Sequence, residues 1–142
     1  MARTTPVLLA LLLGACTACT AEAPPAAPVE PPWERGIRVT PSFSTDIQEI
    51  FTRRGCTLAG CHGAAASLPL TAGLSHAALV NVPAVAEAAI RVVPGNAAAS
   101  YLIRRVEGTQ TIGSRMPLGG TPLDSIDLAN LRTWIQQGAR RN

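Results

Sequence analysis

Residues 53–63 read RRGCTLAGCHG, so two thiols and an imidazole (Cys56, Cys61 and His62) fall within seven positions. Reactive groups packed this densely restrict the chain on both flanks. Either the sulfurs join each other, or the three side chains together hold something. The upstream flank has a clear pattern. Phe43, Ile47, Ile50 and Phe51 recur at i, i+4, i+7 and i+8, one face of a helix. Ser44 or Thr45 can cap its start, Arg53 and Arg54 fall in its last turn, and Gly55 is the expected stop. Cys56 therefore follows directly on a short amphipathic helix.

Two further helices are predicted from patterning. One runs from Asn96 to about Val106, with Leu102 and Val106 one turn apart and Gly108 closing it. The last begins at Asp124 or Ser125, carries Leu128, Leu131, Trp134 and Ile135 as its apolar stripe, and ends at Gly138. A single helical turn fits near Ser75–Val80. The intervening segments are rich in Gly, Ala and Pro, and nothing alternates as a sheet requires. The fold class is accordingly all-α, a small helical domain over 42–142 with long loops. Such a domain buries only about 60–65% of its unfolded surface. This chain has just two Phe, two Trp and one Tyr to fill a core. A large, flat, apolar cofactor would supply the missing bulk.

Three chemistries compete for the Cys–His run. A Cys56–Cys61 disulfide suits an oxidising compartment, yet closes too short a loop to restrain much of the unfolded chain. A zinc site could draw on Cys56, Cys61, His62 and His76, but adjacent Cys61 and His62 point poorly at one tetrahedral ion. Covalent haem needs two thiols for its two vinyl groups and an imidazole just beyond them for the iron. The adjacency of Cys61 and His62 provides that, and Gly60 gives the widened turn its backbone freedom. For the sixth iron position there is no lysine, and beyond the amino-terminal segment the candidates are Met116 and His76. Met116 stands in GSRMPLGG, a glycine-flanked loop rather than an apolar helical stripe, which favours ligation over packing. His76 is the fallback.

Taken in order, a helix with Phe51, Cys56-x4-Cys61-His62-Gly63, a middle helix, RMPLGG and a last helix with LRTWI make residues 42–142 resemble a single-haem c-type cytochrome domain. The likeness is to the class I type, in the form with a widened Cys-x4-Cys-His site found in exported bacterial proteins. The resemblance implies a cytochrome c-like fold around one haem c, bound covalently through Cys56 and Cys61, with His62 and Met116 as axial ligands. It also implies that the first and last helices cross with Phe51 and Trp134 at the contact, and that Arg91 and Arg115 meet the haem propionates. The implied role is one-electron transfer between redox proteins of the cell envelope, not enzymatic catalysis. Two alternatives remain: a small haem peroxidase or gas sensor with an open sixth position, and a haem-free, disulfide-closed envelope module. No nucleophile–base pair stands out, since Ser75–His76 has no orienting carboxylate.

The amino end suggests how such a domain would be delivered. Arg3, the apolar run Val7–Leu13 and the small residues before Cys16 read as a signal peptide over 1–15, resembling a lipoprotein lipobox. Cys16 would be the acylated residue and the membrane anchor. Residues 16–41 read as a Pro/Ala-rich linker, with six of the twelve prolines between 17 and 41, able to reach roughly 80 Å. The expected location is the envelope or periplasm, by analogy the outer membrane. Beyond residue 41 there are nine arginines and six acids. No basic block is dense enough for a nucleic-acid site.

Overall fold

The apolar stripe from Phe43 to Phe51 forms one helical run in the computed structural model, which describes residues 35–142. Its first turn, Phe43–Ile47, is a π-helical turn that passes directly into α1, Gln48–Arg53. Asn142 fastens the wide turn from outside. Its side-chain oxygen accepts from the Phe43 amide at 2.9 Å and its carbonyl from the Ser44 amide at 2.8 Å. Then come α2 (Ser75–Leu79), α3 (Tyr101–Glu107) and α4 (Ser125–Gln136). The described residues contain no strand, only three isolated bridges such as Val80 with Val92. The domain is all-α, and no helix among the described residues is long and apolar enough to cross a membrane. The signal peptide, Cys16 and most of the linker lie outside the described residues.

The core joins the π turn and α1 to α4. Ile47, Leu131 and Ile135 are fully buried, with Trp134 beside them. The aromatic contact differs from the expected Phe51–Trp134 pair. Phe43 meets Trp134, with ring centroids 5.1 Å apart, and His76 lies edge-on to Phe43 at 4.9 Å. The wider turn carries Phe43 onto α4, while Phe51, one face further round, borders a cavity. Helix α3 also starts later than its sequence signals. Asn96 Oδ1 takes the Ala99 amide in a non-helical turn. The first amides of α3, Tyr101 and Leu102, then find acceptors in the carbonyls of Ile90 and Arg91, so its start is fixed by tertiary partners for the orphan N–H groups of a helix.

Residues 35–41, read from sequence as the end of the linker, belong to the packed domain. The Arg38 amide donates to Asn130 Oδ1, Asn130 Nδ2 donates to the Gly36 carbonyl, and Pro41 is buried. Arg35 reaches both carboxylates at the start of α4, Asp124 at 2.7 Å and Asp127 at 2.9 Å. Arg53 and Arg54, from the end of α1, meet the same Asp127 at 2.7 and 2.6 Å. One buried carboxylate thus ties the linker end, α1 and α4 together.

Asp124 caps α4, accepting from the Ile126 and Asp127 amides. The Asp127 amide first, and Arg35 second, hold its carboxyl down from 3.8 to about 2. A depressed carboxyl contributes stability that is complete above its unfolded value and lost as pH falls towards its folded one. The thermal midpoint should therefore fall as pH drops from about 4 to 2, modestly, because the side chain is 41% exposed and screened by salt. An Asp124→Asn variant should lose part of that slope; an identical acid profile would contradict the assignment.

Candidate cofactor site

The end of α1 aims Cys56. Gly55, at φ +71°, turns the chain out of the helix, with its amide on the Thr52 carbonyl and that of Cys56 on Phe51. Those two bonds are a Schellman closure, which an L side chain at position 55 would strain. The Cys56 thiol is half-buried and packs on the core; Cys61, across the short loop, is exposed, and both thiols are free. Burial pushes the Cys56 thiol above its ordinary value, so it is protonated at neutral pH.

His62 is held on three sides. Its amide donates to the Cys56 carbonyl at 3.0 Å and its carbonyl accepts from Leu70 at 2.8 Å. Its Nδ1 lies 3.0 Å from the Leu68 carbonyl. A carbonyl only accepts, so Nδ1 carries the proton and, in the neutral ring, Nε2 presents its lone pair. A backbone carbonyl on the far nitrogen is the usual way a ligating histidine is oriented. Gln48 steadies Leu70 in turn, donating to its carbonyl at 2.9 Å and accepting from the buried Ser75 hydroxyl at 2.6 Å. Gly63 completes the fit. A Cβ there would sit 2.9 Å from Ala59 Cα and 3.3 Å from the Leu58 carbonyl oxygen, so the loop closes only around glycine.

Beside this loop opens a cavity of about 640 Å³, within the ~300–1,000 Å³ span of small-molecule and cofactor sites. Cys56, Cys61, His62 and Met116 all line it, over apolar walls that include Ile50 and Phe51. Met116 reaches the wall from the loop after α3, where its amide donates to the Arg105 carbonyl at 2.8 Å; the Met116–Pro117 peptide is cis. Arg91 also lines the cavity and donates to the Ala78 carbonyl at 2.7 Å.

Other sequence candidates lie elsewhere. Arg115 is not on the cavity wall; its stem lies along Gly108 and its guanidinium donates to the Gly120 carbonyl, bracing the Met116 loop from behind. His76 is not on the wall either. Its Nε2 is bonded to the Ala139 carbonyl at 2.8 Å and its ring packs against Phe43, so it is spent on the helix contact. That placement also dismantles the zinc set, and among the described residues no three His, Cys, Asp or Glu side chains gather around one point. Sequence reasoning missed Tyr101. It lines the cavity, its hydroxyl is buried without a hydrogen-bond partner, and Arg104 and Arg105 flank its ring at 5.2 and 5.7 Å. The only signal available was its being the single tyrosine of the chain.

Comparison with protein-family models, with curated proteins and with solved structures returned no match.

Proposed function

We propose that the cavity holds one covalent haem c and that the domain is a one-electron carrier, exported and tethered to a membrane through Cys16. The observation that carries the reading is the shared wall: two free thiols, an imidazole with Nε2 available and a thioether border one apolar space. The residues fit the group in a second respect. Arg91 and Arg105 border the same cavity and no carboxylate does, so the wall suits a ligand with acidic substituents.

In this reading Cys56 and Cys61 would hold the haem by adding S–H across its vinyl groups, sulfur to one carbon and hydrogen to the other, which needs no oxidant. His62 would hold the iron through Nε2, with its ring oriented by the Leu68 carbonyl on Nδ1. Met116 would supply the second protein ligand. A bound haem would supply a reversible one-electron couple, and ligation by both His62 and Met116 would leave no place for a substrate. The apolar walls would favour the less charged, reduced state of such a group.

Exchanging the thioether for a methyl group tests the role of Met116. Met116→Ala should abolish the sulfur-to-iron charge-transfer band of the ferric protein, lower the potential and admit carbon monoxide to the ferrous iron. An unchanged spectrum and potential would remove Met116 from the iron. Tight carbon monoxide binding by the unaltered protein would instead favour the sensor or peroxidase reading.

A further inference from the structure

Glu87 sits on the loop that contributes Ala84, Val85 and Ala86 to one side of the cavity. Its carboxylate does not face solvent; the side chain is 7% exposed. One oxygen accepts from two successive amides, Thr111 at 2.7 Å and Ile112 at 2.9 Å. The other accepts from Arg104 of α3 at 3.0 Å. These amides begin the stretch that delivers Met116 to the cavity wall. Further on, Arg105 holds both ends of that stretch, its guanidinium on the Ile112 carbonyl at 3.2 Å and its own carbonyl on the Met116 amide. Nothing else in this glycine-rich stretch is buried: Thr109 and Thr111 through Ser114 are exposed. A segment with so little apolar burial has low local stability of its own. Its position is therefore set by the few polar ties that reach it.

We propose that Glu87 is a positioning residue for Met116, its carboxylate latching the Met116 loop to the loop that carries Ala84, Val85 and Ala86. This rests on the reading of Met116 as an axial ligand. A charged acceptor shared by two adjacent amides and an arginine is a strong, directional tie. The amides also hold the Glu87 carboxyl below its ordinary value, with that of Ile112 as the largest cause. With the latch made, the thioether is presented at a fixed place; with it broken, the loop samples positions in which the sulfur is away from the metal.

The test compares Glu87→Ala and Glu87→Gln in the haem-loaded, full-length protein. Glu87→Ala should weaken the sulfur-to-iron band and lower the apparent Kd of added imidazole at least about tenfold, because the open form becomes more populated. Glu87→Gln keeps an oxygen for both amides and should retain most of the band. Wild-type band intensity and imidazole affinity in Glu87→Ala would overturn the latch while leaving the haem reading intact. Absence of the band in the wild-type protein would overturn the reading of Met116 and the latch with it. If Glu87→Ala fails to fold, hydrogen exchange on the wild type decides. Thr111 and Ile112 amides should exchange more slowly than those of Gly113 and Ser114, and equal rates would overturn the latch.

Discussion

His62→Ala is expected to eliminate the low-spin haem spectrum completely. The ring is the one imidazole on the cavity wall, since His76 is committed to the Ala139 carbonyl on another face. No neighbouring side chain can replace it, because the chain has no lysine and its remaining histidine is elsewhere. The substitution leaves Cys56 and Cys61 in place, so attachment through sulfur can still proceed while the iron lacks its nitrogen ligand. Added imidazole should then enter the space left by the side chain and restore a low-spin spectrum, which separates loss of a ligand from general misfolding. Retention of the wild-type spectrum without imidazole would take His62 off the iron.

Asp127→Ala should be strongly destabilising, although the residue lies outside the cavity. The carboxylate is 2% exposed and accepts from Arg35, Arg53 and Arg54 together. Its removal takes the shared buried partner from three guanidinium groups, leaving Arg35 and Arg54 to Asp124 and Arg53 to Glu49. Breaking a buried ion network by deleting one partner costs about 3–5 kcal/mol. The arginines are partly exposed and can rehydrate, which places this case near 3 kcal/mol at the lower end of that range. For a domain of this size that corresponds to roughly 12–24 °C in thermal midpoint. The loss should extend to the linker end, where limited proteolysis near Arg35 and Arg38 should become faster. A midpoint within about 2 °C of wild type would show that the network is replaceable.

The legible parts of the fold are those encoded locally. The Phe43–Phe51 stripe, Gly55 as a helix stop and Asp124 as a cap each depend on residues within a turn of one another, and the structure has all three. The start of α3 was not legible, because its first amides pair with Ile90 and Arg91, about ten residues upstream across a loop. The linker boundary failed for the same reason on a larger scale: the partners of Arg35 lie 89 and 92 positions away. A proline-rich composition hides such ties. At the cavity, the Cys–His adjacency and the glycine-flanked methionine pointed to residues that do line one space. Arginines are harder to read, since Arg91 and Arg115 look alike in sequence, and only the fold separates the one on the wall from the one behind the loop. Glu87 and Tyr101 carried no motif at all. Their significance comes from what surrounds them.

Mass spectrometry of the protein matured in cells that possess haem-attachment machinery tests the central claim most directly. The account predicts one added haem on the peptide holding residues 56 and 61, retained through denaturation and acid–acetone extraction. A Cys56–Cys61 disulfide on that peptide, with no tetrapyrrole mass, would contradict it.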